Sequence, residues 1–484
     1  MMAFVIVALA AVLFVLSWRA GSGVLVTRDY FLANRALPAW QAALSQTVNA
    51  LPPWMMAGIA AAAFTWGFAA VWLLFTVVLG HVLGWFFVAP RLHKLAVERS
   101  TGGLLPLLTG DAGKRMRGPI VLSAALIFFL AVLVGMAAWL PMLGEQLARH
   151  VPLSPRGAML AALAFATLSA LVGGYPGICR NDALRALLVF LCAVAAATGG
   201  LIAAGGWGPV WTSLNDLPSD AGLWTGEQAP ILALTFALGT LSLSLAPYGQ
   251  PQVIARLMTY PDKAARDHAW RLALLWLVLI TASLLLCGWT ARLALPPLEG
   301  SEVGSDFLLP LASAVLPASL AAVVAAAFLI SAIGSLESLL LAMAAAVSVD
   351  LQRQPARPSL DWPKPAVVLA GGLLAAVALQ VPDASFERLV LSWTLLGAAF
   401  GPLLVVRLAG KRVRPGSMLG SMWAGFMLTL LLHLLPNAPG DFLERALPFV
   451  AALGIALTGG ERRRDPDRAD RSQEIARAPS DTPS

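Results

Sequence analysis

The 484-residue chain has little charge, since Asp, Glu, Lys and Arg make up only 12% of it. An ordinary soluble domain carries about 25%. So few charged groups cannot cover the surface of a soluble protein of this length, and 58% of the residues are apolar. The composition therefore excludes soluble enzymes and disordered proteins and indicates a polytopic membrane protein. The three cysteines, Cys179, Cys192 and Cys287, are scattered and form no disulfide or metal-binding spacing.

Apolar runs long enough to cross a bilayer recur along the whole chain, since a spanning helix needs about 20 such residues. Thirteen candidate spans lie at 2–18, 38–63, 68–90, 118–143, 157–173, 183–205, 228–247, 271–291, 317–348, 365–381, 389–406, 416–436 and 446–460. They leave little room for a soluble domain. The first run lacks a basic leading segment and a small-residue cleavage site, which favours a retained helix over a signal peptide.

The basic residues are distributed unevenly between alternate loops. With the N-terminus outside, all but five of the 33 Lys and Arg residues fall on the inner side. The five on the outer side are Arg149, Arg156, Arg292, Arg388 and Arg445. This asymmetry predicts an inner, plasma-membrane protein of bacterial type with a cytoplasmic C-terminus. The net charge of +7 is thus a topology signal, and no nucleic-acid partner is expected.

Two of the thirteen runs are interrupted at mid-depth by proline. The second contains Pro52 and Pro53, and the seventh ends at Pro247 and is followed by Pro251. Proline removes a backbone donor, and unpaired backbone inside a membrane is tolerated only beside a cavity or protein. Paired interruptions at corresponding positions are typical of the binding site of a secondary transporter, although single kinks are also common in membrane helices.

The two breaks predict the solute site. Free N–H groups at half-helix N-termini attract a carboxylate, and free carbonyl oxygens at C-termini suit a hard cation. The polar residues nearest the breaks are the candidate solute ligands, and some of them are expected only to satisfy freed backbone groups. These residues are Gln46, Thr47, Asn49, Ser242, Ser244, Tyr248 and Gln250.

Several segments resemble the sodium/solute symporter family, and its sodium/proline symporters in particular. They are Tyr30–Leu37, Gly173-Gly174 with Asp182, Gly249–Met258 (GQPQVIARLM, near the family's GQPHIIVRFM), Gly397–Pro402 and Glu444–Phe449. The resemblance covers about residues 30 to 450. It implies an all-α fold of the LeuT type, an inverted repeat of five plus five helices within about 13 transmembrane helices.

The resemblance also implies a division of the chain. Residues 1–37 would form an extra N-terminal helix and an inner loop, and 38–410 the ten-helix transporter core. Residues 411–460 would add two helices, and 461–484 would form a cytoplasmic tail. The tail is charged and lacks periodicity, which predicts disorder.

The family places a sodium ion between the first and eighth core helices. Carried over to this chain, the ligands are the backbone carbonyls near Val48 and Leu51 and two hydroxyls at positions 334 and 335. Only Ser335 keeps its hydroxyl, because position 334 is Gly334. Ser338 lies on the same helical stripe as Ser335.

The acidic residues near this site depart from the family pattern. The acid of the first core helix is replaced by Ala50, and Arg185 stands where glutamine is usual. Asp182 matches the family's aspartate and is a candidate for ion relay, or alternatively the N-cap of the following span.

Glu337 is the one acid in the middle of a span. Three hypotheses remain open for it: a cation ligand that replaces the lost hydroxyl, a proton carrier, or a structural residue. In the last case the side chain would be protonated or paired with Arg185 or Arg180. A mid-membrane carboxylate normally has a partner or a role.

Three further residues have both a functional and a structural interpretation. Trp54 matches an aromatic residue that the family uses near its substrate, or it packs after the proline break. His81 and His433 are candidate proton relays or satisfied core histidines. Val132 and Leu243 replace the other aromatic residues of a proline pocket, so the resemblance favours a small organic solute more than proline itself.

The sequence therefore predicts a secondary active transporter and no enzyme. It would carry a small amino-acid-like carboxylate together with a cation, Na⁺ by resemblance, with H⁺ as the alternative and no other cofactor. The other hypotheses are an uncoupled carrier and a non-transporting sensor on the same scaffold. The expected partners are the solute and the lipid bilayer.

Overall fold

The computed structural model describes residues 2–33, 37–98, 103–110, 112–215, 224, 229–295, 307–350, 359–381, 386–435 and 441–462. Residues 34–36 of the first family-like segment, and most of the predicted disordered tail, lie outside these ranges. The helices of the first half are α1 (Met2–Gly21), α2 (Thr27–Leu32), α3 (Ala39–Ala50), α4 (Pro53–Trp66), α5 (Val71–Leu83), α6 (Ala89–Glu98), α7 (Leu104–Thr109), α8 (Gly113–Ala148), α9 (Pro155–Ala203) and α10 (Trp207–Asn215).

The second half is also helical, apart from one small sheet. Its helices are α11 (Pro230–Ser242), α12 (Pro251–Leu257), α13 (Lys263–Ala294), α14 (Leu308–Val315), α15 (Ala318–Ala345), α16 (Pro363–Ala378), α17 (Phe386–Leu408), α18 (Pro415–His433) and α19 (Phe442–Thr458). Strand β1 (Lys411–Val413) pairs antiparallel with β2 (Gly460–Arg462) and joins the chain before α18 to the end of α19.

Within the described ranges, nine helical stretches are long and apolar enough to cross a membrane. The predicted all-α polytopic membrane fold is therefore confirmed. The number thirteen stays a prediction, because α16 and α19 are only 16 and 17 residues long.

Both predicted interruptions are present. Between α3 and α4, Leu51 leaves the helical conformation with φ −127° and ψ 73°, and Pro53 then occupies the first turn of α4. A proline is tolerated there because the first N–H groups of a helix have no internal partner. The second break is a tight 3-10 turn over 243–249 followed by the extended residue Gln250, after which α12 begins at Pro251.

The predicted spans 157–173 and 183–205 lie in one long helix, α9, which bends at Gly174. This glycine has φ 53°, a conformation that residues with a side chain rarely adopt. The second part of α9 continues through Tyr175 and Pro176, so Asp182 lies well inside the helix. The interpretation of Asp182 as an N-cap is therefore wrong, because the helix begins before it.

Helices α15 and α17 form the centre of the bundle. Most residues of their membrane-crossing windows are buried inside the protein, whereas few of those in α1 are buried. Helix α15 packs along α9, and α9 in turn contacts α1 and α3. This packing brings the first break, the second half of α9 and the middle of α15 together in the interior.

Candidate functional site

A cavity of about 900 Å³ lies at the junction of the two helix breaks. Gln46, Ala50 and Trp54 line it from the first break, and Ser244 and Tyr248 line it from the second. From there the cavity extends along α4 to the end of the bundle, where its wall is formed by Thr65, Trp66, Glu387, Asp441 and Arg445. The cavity continues past the breaks to the buried residues Trp85, Val253 and Leu257, and it opens on the side where Glu387 is exposed.

Gln46 and Trp54 are a polar and an aromatic residue that line the cavity at the first break. The Gln46 side chain is only 4% exposed, and its Oε1 atom has no hydrogen-bond partner within the described part of the chain. The Trp54 ring contacts Phe386 and Trp393 edge-on, with ring centroids 5.9 and 5.7 Å apart. A ligand in this space would meet an aromatic wall, and beside it Gln46 has a buried oxygen without a hydrogen-bond partner in the described part of the chain.

The second break is held against α5. The Tyr248 hydroxyl donates to the carbonyl oxygen of Gly80. A Cβ atom added at Gly80 would come within 3.0 Å of the Ser244 carbonyl oxygen, so the glycine permits this close packing. Tyr248 and Ser244 are therefore fixed in the cavity wall.

The other predicted solute ligands are not among the residues that line the cavity. The Thr47 hydroxyl donates to Ala43 O (3.0 Å), and the Ser242 hydroxyl donates to Leu238 O (2.7 Å). Gln250 Nε2 donates to Trp393 O at 3.0 Å. Asn49 donates to Ser45 O and to Asp182. These side chains donate hydrogen bonds to backbone carbonyl groups or, in the case of Asn49, also to Asp182. A role in solute binding stays a prediction for them.

A second polar centre, here named the four-charge network, consists of Asp182, Arg185, Arg256 and Glu337. Arg185 donates to both Glu337 carboxylate oxygens at 2.8 and 3.0 Å, and its Nη1 lies 3.4 Å from Asp182 Oδ1. Arg256 Nη2 donates to Asp182 Oδ2 at 2.7 Å. Each of the four side chains is 2% exposed or less. Two positive and two negative charges cancel, which makes their burial tolerable.

Neutral side chains complete the network. The Ser45 hydroxyl donates to Asp182 at 2.8 Å and accepts from Arg256 Nε at 2.8 Å. Asn49 donates to the same Asp182 oxygen, and the Ser338 hydroxyl accepts from Arg256 Nη2 at 2.9 Å. The network therefore ties α3 and α12, one half of each broken helix, to α9 and α15.

The network and the cavity mouth lie on opposite sides of the breaks. Ser45 and Asn49 belong to α3, whereas the wall near the mouth includes Thr65 and Trp66 at the far end of α4. Because α3 and α4 are the two halves of one interrupted helix, the chain is open on the α4 side and closed by buried ion pairs on the α3 side.

The charge count of the sequence puts both Arg185 and Arg256 on the inner side, and Arg256 in a loop between two predicted spans, whereas the structure places both inside helices. Arg185 lies inside α9 and Arg256 inside α12, and both are fully buried. The polar segment 248–270 predicts a loop, because the sequence alone does not show that Asp182, far away along the chain, neutralises Arg256. Arg256 lies within the family-like segment Gly249–Met258, and that segment is the sequence signal for it.

The predicted cation ligands have separate environments. The Ser335 hydroxyl donates to Ala332 O at 2.7 Å, and Ser338 binds Arg256. Val48 is buried in a small apolar cluster, and the Leu51 N–H donates to Thr47 O. Their role as cation ligands stays a prediction.

Glu337 is paired with Arg185, one of the partners proposed for it, whereas Arg180 is exposed. Position 334 explains how the pair fits. A Cβ atom at Gly334 would overlap Arg185 Nη1, so the missing side chain makes room for the guanidinium.

The two candidate relay histidines both line the cavity. A ring nitrogen of the buried His81 lies 3.4 Å from Trp270 O, and His433 Nδ1 lies 3.2 Å from Glu444 Oε2. Each therefore has a hydrogen-bond partner, and a role in proton relay stays a prediction. In the described ranges, no cluster of three or more His, Cys, Asp or Glu residues could hold a metal ion.

Comparison with known proteins gives a consistent result. The family model described as the sodium:solute symporter family matches residues 30–425. The sodium/proline symporter of Escherichia coli (strain K12) is 23% identical over 415 residues, which cover 83% of this chain and 82% of that protein. The high-affinity proline transporter of Bacillus subtilis (strain 168) is 24% identical over 445 residues, covering 88% and 90%.

Solved structures show the same architecture. A Na⁺-coupled sialic acid symporter in a substrate-bound, outward-open state superimposes with a TM-score of 0.78 at 18% identity, over 96% of this chain and 99% of that one. A manganese transporter of Eremococcus coleocola superimposes with a TM-score of 0.55 at 13% identity, over 90% and 98%. These likenesses support the LeuT-type fold expected from the sequence.

Proposed function

Since the chain belongs to the sodium:solute symporter family, we propose that it is a secondary transporter that carries a small organic solute with Na⁺ across a bacterial inner membrane. The observation that carries this proposal is the cavity between the two helix breaks, lined by Gln46, whose buried side-chain oxygen has no hydrogen-bond partner in the described part of the chain. A binding site at the junction of two interrupted helices is the arrangement that secondary transporters use.

The proposed solute is an amino acid or a related carboxylate, with proline as the first to be tested. The names of the relatives support proline. The Gln46 oxygen can accept a hydrogen bond from a protonated amine, and the N-terminus of α4 beside the break favours a carboxylate. The rings of Trp54, Phe386 and Trp393 supply an apolar wall for a compact hydrocarbon part.

Alternating access follows from the position of the four-charge network. The positive-inside asymmetry puts the cavity mouth on the outer side, so the described conformation faces outward. Opening to the cytoplasm requires α3 and α12 to move away from α9 and α15. That movement breaks the bonds of Ser45, Asn49 and Arg256 to Asp182. None of these steps involves covalent chemistry.

The decisive experiment is uptake by proteoliposomes that contain the purified chain. A panel of labelled amino acids and carboxylates is offered with an inward Na⁺ gradient, a pH gradient or neither. We expect uptake of proline or a related solute that requires the Na⁺ gradient and stops when an ionophore collapses it. Trp54→Ala serves as the site-disrupted control.

Three outcomes contradict the proposal. Uptake driven only by the pH gradient indicates a proton-coupled carrier, and equal uptake without any gradient indicates a facilitator. Solute binding without uptake under any gradient indicates a sensor.

A further inference from the structure

Both carboxylates of the four-charge network are fully engaged by guanidinium groups. Arg185 binds both oxygens of Glu337, and Asp182 receives Arg185 on one oxygen and Arg256 on the other. Ser45 and Asn49 add two further bonds to Asp182. A free cation that approached either carboxylate in the interior would therefore meet a guanidinium charge at each of its oxygens.

In the described part of the chain, the guanidinium of Arg185 is bound by the two carboxylates alone. Its Nε atom is buried and has no hydrogen-bond partner in the described part of the chain, so its hold rests on Asp182 and Glu337 alone. Arg256, in contrast, also binds Ser45, Ser338 and the backbone of its own helix. The arginine whose partners are carboxylates alone, the groups that a cation would also use, is therefore the one beside Gly334, where the family resemblance implies a cation-binding hydroxyl.

We propose that Arg185 is a tethered competitor of the coupling cation. In the conformation described, its guanidinium neutralises Glu337 and Asp182, and Na⁺ reaches these carboxylates only when the guanidinium moves aside. The proposal rests on the proposed cation-coupled transport and specifies how cation affinity at that centre is set. Arg185 and Glu337 thus determine how much Na⁺ is needed to load the transporter.

The charge balance gives the sign of the effect. With Arg185 present the network has no net charge, and without it the network carries a charge of −1 in a poorly solvated interior. An opposite charge is strongly attracted there. Removing the guanidinium while keeping a side chain of similar length should therefore raise the affinity for Na⁺.

The test is direct binding of ²²Na⁺ to the purified full-length protein in detergent, without solute. For Arg185→Gln we expect the half-saturating Na⁺ concentration to fall by about tenfold or more, the size of effect associated with one charged hydrogen bond. Arg185→Lys keeps the positive charge, so its half-saturating concentration should stay nearer to that of the wild type than to that of the glutamine variant. Equal affinity in the wild type and Arg185→Gln would overturn the proposal.

The double variant Arg185→Gln/Glu337→Gln is the matched control. It removes the competitor and one carboxylate together, so the network returns to zero net charge and the gain in affinity should disappear. If the double variant binds Na⁺ as tightly as Arg185→Gln, Glu337 is not the ligand and the proposal fails.

A second route to the same displacement is Gly334→Ser. The added side chain overlaps Arg185 Nη1 and supplies a hydroxyl oxygen, so Na⁺ affinity should rise here as well. This variant keeps the proposal testable if Arg185→Gln does not fold. Because Na⁺ binding is measured without solute, failure of solute uptake in liposomes would contradict the proposed function and leave this comparison intact.

Discussion

Arg185 on α9 and Glu337 on α15 form a two-point ion pair, 2.8 and 3.0 Å long, in which neither side chain is more than 1% exposed. The residues are 152 positions apart in sequence. A two-point guanidinium–carboxylate contact has a fixed geometry and is stronger than a neutral hydrogen bond. The pair therefore fixes α15 against the second part of α9 in the interior of the bundle.

Breaking this pair on one side is expected to be costly. Glu337→Gln leaves the Arg185 charge with Asp182 alone, and loss of one partner of a buried pair costs about 3–5 kcal/mol. We expect a clear drop in the melting temperature of the purified protein, measured by tryptophan fluorescence in detergent. The double variant Arg185→Gln/Glu337→Gln should recover much of this loss, because it leaves no unpaired charge.

Glu387→Gln is the matched control for that experiment. Glu387 is exposed at the cavity mouth, so its substitution should change stability by no more than about 0.5 kcal/mol. If Glu337→Gln melts at the wild-type temperature, the pair does not stabilise this conformation.

Gln46 is expected to contribute directly to solute affinity. Gln46→Met keeps a similar shape and removes the acceptor that has no partner in the described part of the chain. Loss of one hydrogen bond to a charged group should weaken solute binding by about tenfold or more. The measurement is the half-saturating solute concentration of uptake at a fixed Na⁺ concentration.

Thr47→Val is the control for Gln46. Thr47 is the next residue of α3, but its hydroxyl bonds to Ala43 of its own helix and does not line the cavity. Its replacement should leave solute affinity unchanged. Equal weakening in both variants would mean that the substitutions act through α3 and not through the ligand.

The helix breaks were predictable from sequence, and the partners of the charges were not. The pairs Pro52-Pro53 and Pro247/Pro251 interrupt a helix by local chemistry, which a single sequence displays. The pairing of Arg185 with Glu337 depends on how α9 and α15 pack, and no local pattern encodes it. The sequence marks Glu337 as the one acid inside a span and offers Arg185 as one partner for it, whereas it predicts a loop at Arg256.

Asp182 shows the same limit in another way. The start of an apolar run at 183 predicts a helix start at Asp182, but the bend lies at Gly174 and the helix continues through the charged residues. The helix continues because Arg185 and Arg256 both neutralise the carboxylate in space. A boundary inferred from polarity is therefore least reliable where buried charges meet, which in this protein is the candidate cation site.

Gly249 is expected to be essential for the second break. A Cβ atom at this position would overlap the carbonyl oxygen of Leu396 in α17. Backbone cannot move aside as a flexible side chain can, so Gly249→Ala should destabilise the protein by about 1–3 kcal/mol. The melting temperature in detergent measures this loss.

Gly372→Ala is the matched glycine control. Gly372 lies on the exposed face of α16, with no atom within 4 Å of an added Cβ. Alanine favours a helix by about 1 kcal/mol over glycine, so this variant should be as stable as the wild type or slightly more stable. Equal destabilisation of both variants would rule out the close approach to Leu396 as the cause.

The orientation in the membrane can be tested with single introduced cysteines. The native residues Cys179, Cys192 and Cys287 are all buried and should not react with a thiol-specific label. Ser22 follows α1 and Leu153 precedes α9, and both are exposed. The positive-inside asymmetry puts Leu153 outside and Ser22 inside. A membrane-impermeant maleimide should therefore label Leu153→Cys in whole cells and Ser22→Cys only after permeabilisation. The reverse pattern would mean that the cavity mouth faces the cytoplasm and that the described conformation is inward-facing.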